Sequence, residues 1–415
     1  MPIDALGLLS LFSITIVIGY IGTLIFKKTG ISDTIWLLSL GLALGPGLGL
    51  IDRTIFIAVL PILSALALIL ILFDAGLNMD FYQMIRGFSR SMLLTIVGVV
   101  FSMLFVGATS MYILNFSLLE GLLLGAIVSG TSSAIIVALV SKMRIRDNIK
   151  TILTLESIFT DPFTIVIPIA LISFLVAPIA ATQTDIAVGP VSTILSAFSI
   201  GAVIGLLGGI IWQAVMDRLK EKHLEYMLTL AAMFLIYIFV ETFKGSGALA
   251  ALMFGLVIGN KKTFYNILRM RKRSLGDHES LRTMQNEFSF FIRSFFFVYL
   301  GLIATINMQY LLYGLAIVGA LILARLIAVQ ISTIKMEIRG QEKNIMRTMM
   351  GRGLACAVTS QLPLAAGLPN GAVFSNIAFV IILGTTVYTT IMAFVFKPKK
   401  RKKSGKIKNK KGKKK

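Results

Sequence analysis

Long, continuous apolar blocks divide this chain, and that pattern leaves few folds open to it. Thirteen blocks stand out, at roughly 5–26, 33–51, 55–78, 90–114, 118–141, 149–177, 189–215, 224–242, 246–260, 288–307, 309–331, 347–367 and 374–396. Most suffice to cross a hydrocarbon layer of about 30 Å at about 1.5 Å per helical residue. Within lipid every backbone polar group must find its partner inside the protein, which leaves helices or closed barrels. The alternating ten-residue segments of a barrel are absent, so the blocks predict an all-α integral membrane protein of about thirteen spans. The composition agrees, with 56% hydrophobic and 14% charged residues, far from the balance of a soluble domain. The first block is followed by Lys27-Lys28 and reads as a span rather than a cleaved leader. Gly201, Gly205, Gly208 and Gly209 in the seventh block suit close helix contact.

Basic residues fall in every second loop: Lys27-Lys28; Arg86 and Arg90; Lys142, Arg144, Arg146 and Lys150; Arg218, Lys220 and Lys222; the run from Lys261 to Arg282; and Lys335, Arg339, Lys343 and Arg347. The intervening loops hold Arg53 and Lys244. The positive-inside rule then puts the amino terminus outside and the carboxyl terminus in the cytoplasm of a cell membrane. Residues 1–396 form the transmembrane unit, and 397–415 a polybasic cytoplasmic tail that contributes much of the net charge of +21. Such a tail binds anionic lipid or fixes topology. A nucleic-acid role would need a folded module, and none is present.

The stretch Leu155-Glu156-Ser157-Ile158-Phe159-Thr160-Asp161-Pro162-Phe163 lies inside the sixth block. A carboxylate at that depth is costly, so Asp161 must face the protein interior or a water-filled cavity, and it is the leading site candidate. Pro162 frees the carbonyl of Ile158, which lies beside the carboxylate as a second oxygen for a hard cation. Ser157 shares the helix face of Asp161, and Thr160 adjoins it. The other charges inside spans are Asp74, Arg293, Arg325 and Arg352. Glu156 and Arg352 both come out about 8–12 Å deep from the cytoplasmic side, so a buried Glu156–Arg352 pair is expected. Arg293 is expected to snorkel towards the inner surface, whereas Arg325 lies too deep for that. Asp74 is either a cavity-rim residue or interfacial.

Ser129-Gly130-Thr131-Ser132-Ser133-Ala134 interrupts span 5 at mid-membrane, offering Thr131 and Ser132 as ligands. Span 12 shows the same features in Gly351-Arg352-Gly353 and Thr359-Ser360-Gln361-Leu362-Pro363. Spans 1–6 and 8–13 make two six-helix halves related by an odd offset, hence inverted, with the interruptions in equivalent places. Crossed, broken helices in inverted repeats are how secondary transporters build ion sites, although small and hydroxyl residues also serve plain helix packing.

Other chemistries are poorly served. The single cysteine, Cys356, excludes a disulfide framework, and His223 and His278 both lie in polar loops, so an intramembrane serine protease lacks its histidine. Asp74 and Asp161 lack the Gly-x-Gly-Asp context of an intramembrane aspartyl protease. No repeated filter loop of a channel is present.

On these residues the chain resembles the monovalent cation:proton antiporters, in the branch of the archaeal and bacterial Na⁺/H⁺ antiporters and animal exchangers. Asp161 matches the family's ion-binding aspartate, with Thr160 where relatives have Asn or Asp. Thr131 matches the broken span, where Gly-Thr-Ser-Ser replaces Ala-Thr-Asp-Pro and Ser132 the acid, as in the potassium–proton branch. Glu156, Ser157 and Arg352 match a glutamate, a ligand serine and an arginine of the family, and Asp74 falls where relatives have an acid. The resemblance implies exchange of a monovalent cation, Na⁺ or K⁺, for H⁺ at Asp161, with no cofactor. It also implies a moving bundle of spans 4–6 and 11–13 against a dimer-forming remainder. With Asp161 the sole titrating group of the central cluster, exchange is expected to be electroneutral, one for one. A sodium-coupled organic-anion symporter of related fold is the alternative.

Overall fold

The computed structural model describes residues 5–49, 53–143, 145–176, 183–218, 224–267, 279–305 and 307–396. The polybasic tail 397–415, Arg144, Lys220, Lys222, His223, His278 and the rest of the 268–278 loop lie outside the described residues.

Every described regular element is helical. The first half runs α1 (Ala5–Thr29), α2 (Asp33–Leu42) with a π-helical turn at Ala43–Gly47, α3 (Arg53–Asn78), α4 (Phe81–Leu114), α5 (Leu118–Ile127), α6 (Ser133–Ser141) and α7 (Asp147–Val176). After α8 (Gln183–Met216) come α9 (Glu225–Thr242), α10 (Gly247–Gly259), α11 (Lys261–Ile267), α12 (Glu279–Ile303), α13 (Met308–Ser332), α14 (Gly340–Thr348), α15 (Leu354–Thr359), α16 (Leu362–Ala365) and α17 (Gly371–Val395). Eight of these helices are long and apolar enough to cross a bilayer unaided: α1, α4, α7, α8, α9, α12, α13 and α17. The other expected spans fall on shorter or broken elements: α2 with its π turn, the apolar part of α3, α5 with α6, α10, and α15 with α16.

Local sequence explains where the breaks come. Pro46 lies inside the π turn that follows α2. Ser117 and Glu120 form a capping box that starts α5 sharply at the opposite end from the break. Pro162 and Pro168 both lie inside α7, which stays helical through them at the cost of two intrahelical hydrogen bonds.

Packing divides the helices into two sets. Helices α4, α5, α6, α7, α13 and α17 pack chiefly on one another, while α1, α2, α3, α8, α9, α10 and α12 do likewise. Helix α3 lies so close to α10 that a methyl group at Gly76 would overlap the Leu252 carbonyl, and one at Gly259 the Leu77 carbonyl. The glycines of α8 act in the same way: a Cβ on Gly205 would fall 2.7 Å from Ala250 Cα, and one on Gly209 2.7 Å from Val257 Cβ.

The basic loop ends gather on one face. Lys142 Nζ donates to the Phe26 carbonyl (2.8 Å), tying the end of α6 to that of α1. Arg90 donates to the Ser332 and Ile334 carbonyls at the end of α13. Arg146, just before α7, forms an ion pair with Glu342 on α14 at 2.7 Å and donates to the Glu337 carbonyl.

Candidate functional site

Two interrupted helices cross at the centre of the first set. Helix α5 ends at Ile127, the chain turns through Val128-Ser129 and opens out to an extended Ser132, and α6 begins at Ser133. Helix α14 ends at Thr348, and after an open stretch α15 begins at Leu354. The two open stretches are joined backbone to backbone, Ser132 N–H donating to the Gly351 carbonyl at 2.7 Å. The crossing requires Gly353, since a Cβ there would lie 2.6 Å from Ser132 Cβ. The interruptions foreseen in spans 5 and 12 are therefore both present, and they meet.

A break leaves helix-end carbonyls and N–H groups without intrahelical partners, and burial makes each one costly. The surrounding side chains supply partners. Arg352 Nη1 donates to the Gly130 carbonyl (3.0 Å), placing a cation at the carbonyl end of α5. Thr131 N–H donates to Thr160 Oγ1 (3.1 Å), and Thr131 Oγ1 to Glu156 Oε1 (3.3 Å). On α17, Thr385 Oγ1 accepts from Arg352 N–H at 3.1 Å. Thr389 Oγ1 accepts from Met350 N–H and donates to the Thr348 carbonyl. Neither threonine was foreseen. The signal was there: Thr385-Thr386 and Thr389-Thr390 repeat one helical turn apart on an otherwise apolar helix.

The expected Glu156–Arg352 pair is not formed. Glu156 pairs instead with Arg325 of α13, in a two-pronged contact of Nη1 to Oε1 at 2.8 Å and Nη2 to Oε2 at 3.2 Å. Both side chains are almost wholly buried, at 5% and 2% exposure. Arg325 Nε also donates to the Met346 carbonyl (2.9 Å). Matched depth left the azimuth around the helix axis undetermined. Arg352 faces α5, and α13 brings the other buried arginine onto the carboxylate. Arg293 also departs from expectation: it pairs with Asp33 at 3.2 Å instead of snorkelling to the surface.

Asp161 lies five residues beyond Glu156 on α7, 5% exposed, on the wall of a cavity of about 290 Å³. Ser132, Ser133, Thr154 and Ile158 share that wall from the first helix set, and Asp74, Asn78 and Arg293 from the second. Asp161 thus lies where the two sets meet. Every other buried charge named so far has a partner: Glu156 with Arg325, Arg352 with Gly130, Arg293 with Asp33. Asp161 alone makes no ion pair or hydrogen bond among the described residues. Thr160 and Ser157 are buried behind it. Thr160 Oγ1 donates to the Ser157 carbonyl, and Ser157 Oγ to the Thr154 carbonyl (2.8 Å). Asp74 is a cavity-wall residue, its Oδ1 accepting from Asn78 Nδ2 at 3.0 Å. Cys356 is a buried free thiol, and no cluster of three or more His, Cys, Asp or Glu groups occurs among the described residues. A single carboxylate among hydroxyls and carbonyls suits a monovalent cation better than a divalent metal, which draws on more charged ligands.

These features can be set beside known proteins. The sequence matches the family described as "Sodium/hydrogen exchanger, transmembrane" over residues 13–397. The chain belongs to that family. It is a multi-pass membrane protein of the monovalent cation:proton antiporter superfamily. It is 27% identical over 396 residues to a K⁺/H⁺ antiporter NhaP of Alkalimonas amylolytica, covering 94% of this chain and 65% of that protein. It is 28% identical over 390 residues to a probable Na⁺/H⁺ antiporter 2 of Methanocaldococcus jannaschii, covering 89% of each. This chain therefore spans somewhat under two thirds of the first relative's length. Its fold matches that of the sodium proton antiporter MjNhaP1 of Methanocaldococcus jannaschii with a TM-score of 0.78, covering 92% of this chain at 22% identity. The symporter alternative finds no support among these relatives.

Proposed function

We propose that this protein exchanges a monovalent cation, Na⁺ or K⁺, for H⁺ across a cell membrane by competition at Asp161. The observation that carries the proposal is the unpartnered Asp161 carboxylate on the cavity wall, beside two crossed helix breaks whose own charges are already compensated. A bare carboxylate in a low-dielectric setting is strongly disfavoured. Protonated Asp161 is neutral, and so is Asp161 with a bound monovalent cation. Only these two states cross cheaply, so inward passage of one ion is tied to outward passage of the other.

The hydroxyls of Ser132, Thr131, Ser157 and Thr160 supply neutral oxygens around the carboxylate. Glu156 and Arg325 fix α7 and α13 to each other, and Arg352 neutralises the carbonyl end of α5. Helices α4–α7 and α13–α17 form the moving bundle, and the remaining helices a scaffold through which two copies pair. The gathering of the basic loop ends supports a cytoplasmic location for that face, with the amino terminus outside. Thr34, Asn78 and Val137 on the cavity wall stand close to it, which supports a cavity open to the cytoplasm. Relatives named for K⁺ and for Na⁺ exchange support both as candidate cargo.

The test replaces Asp161 with Asn in proteoliposomes carrying a pH-sensitive dye. Addition of Na⁺ or K⁺ should release protons with the native protein and not with the variant, at equal reconstitution. Near-native exchange by Asp161→Asn would overturn the assignment.

A further inference from the structure

The cavity that Asp161 lines carries one cation among the described residues, Arg293. A guanidinium on a cation's route should repel the cargo, so its position needs explaining. Arg293 stands on α12, which packs against both α2 and α3. An acid stands on each of these neighbours, Asp33 on α2, which it bonds, and Asp74 on α3, which shares the cavity wall with it. In the structure it bonds Asp33, through Nη2 at 3.2 Å, and it lines the same cavity as Asp74.

The two ends of this pair are held very differently. Asp33 is fixed: Oδ1 accepts from Thr34 N–H (3.0 Å) and Ser32 Oγ (3.3 Å), and Oδ2 lies 3.5 Å from Thr23 Oγ1. Its side chain is 9% exposed, whereas that of Arg293 is 26% exposed. Arg293 is held by a single N–H, and its Nε is buried without a partner. A guanidinium offers five donors in a planar fork, so one contact leaves most of its capacity unused. The anchored acid and the loosely held base make Arg293 the member free to move.

We propose that Asp33 is a latch that keeps Arg293 off Asp74, leaving Asp74 as an anionic staging point for the cation on its way to Asp161. With the latch closed, Asp33 and Arg293 cancel, and the cavity presents the two carboxylates of Asp74 and Asp161. With the latch released, Arg293 turns to Asp74, cancels it and adds a positive charge on the route. Asp33 is thus a positioning residue for cation entry. The inference rests on the functional reading above.

The experiment measures half-saturating Na⁺ and K⁺ and maximal rate in proteoliposomes for Asp33→Asn, Arg293→Gln and the double variant, with thermal stability alongside. Asp33→Asn should raise half-saturation about tenfold, the scale of one unit charge acting on another at about 10 Å in an effective dielectric of about 20. The double variant should return to the native value or below, since the misplaced charge is gone. Arg293→Gln alone should lower half-saturation, and this arm decides the matter if Asp33→Asn does not fold. Native half-saturation in Asp33→Asn, a double variant as impaired as Asp33→Asn, or no fall in Arg293→Gln would each overturn the latch. A merely structural pair would lower stability and maximal rate without this pattern in half-saturation. Absence of any exchange by the native protein would defeat the functional reading instead, so the two failures are distinguishable.

Discussion

Removing one partner of the Glu156–Arg325 pair should be far worse than removing both. The two-pronged contact is nearly water-free, at 5% and 2% exposure. With Arg325→Gln, Glu156 keeps one short-range donor, Thr131 Oγ1, against a full buried charge. Breaking a buried pair from one side costs about 3–5 kcal/mol, while replacing both members by neutral groups is often near neutral. Globular proteins unfold with an entropy of about 2.1 cal/mol/K per residue, so about 4 kcal/mol corresponds to a melting shift of about 5 °C for 415 residues. The assay is a thermal-shift series in detergent on Glu156→Gln, Arg325→Gln and the double variant. Each single change should lower the midpoint by about 5 °C, and the double variant should regain most of that loss, a coupling of about 2 kcal/mol or more. A second cycle, Glu156→Gln with Arg352→Gln, should show coupling below about 1 kcal/mol, because no hydrogen bond joins them. Strictly additive losses in the first cycle, or stronger coupling in the second, would refute the pairing.

Further outcomes follow from the same geometry. With Asp161 the only unpartnered carboxylate at the crossing among the described residues, exchange should be electroneutral, and an imposed membrane voltage should leave the balance point between cation and proton gradients unmoved; a voltage-dependent balance point would reveal a second moving charge. Thr385→Val removes the acceptor for Arg352 N–H (3.1 Å) and should cost about 1–3 kcal/mol, visible as a lower melting midpoint and slower exchange without loss of expression. On the basic face, hydrogen bonds from Arg146 hold the Glu342 carboxyl below its ordinary value of 4.5. A group whose folded value is depressed stabilises fully above its unfolded value, so this contribution is present above about pH 4.5 and disappears as pH falls through the lower folded value. Glu342→Gln should therefore be less stable near neutrality and show a shallower loss of melting temperature below pH 4.5 than the native protein.

Much of this protein was determined locally. Apolar block length in a medium without water forces helices, so most segments holding the apolar helices could be placed from hydropathy alone, whereas the polar helices α11 and α14 fall outside those blocks. The breaks were equally local: Gly130 with its hydroxyl neighbours, and Gly351-Arg352-Gly353, weaken a helix wherever it runs. The cost of a carboxylate at mid-span singled out Asp161 before any neighbour was known. What only the tertiary structure decided was which charge meets which. Glu156 and Arg325 are 169 residues apart, and their contact depends on the rotation of α7 and α13 about their axes and on how α4 packs between them. Depth along a helix follows from counting residues at about 1.5 Å each, but azimuth between distant helices does not, so matched depth points to Arg352 for Glu156 while the fold supplies Arg325. The same holds for Asp33 with Arg293 and for Thr385 with Arg352. In each case the side chain's chemistry was visible in the sequence. The partner was fixed by the packing of helices far apart in the chain, because a buried polar group must bond whatever the fold brings to it.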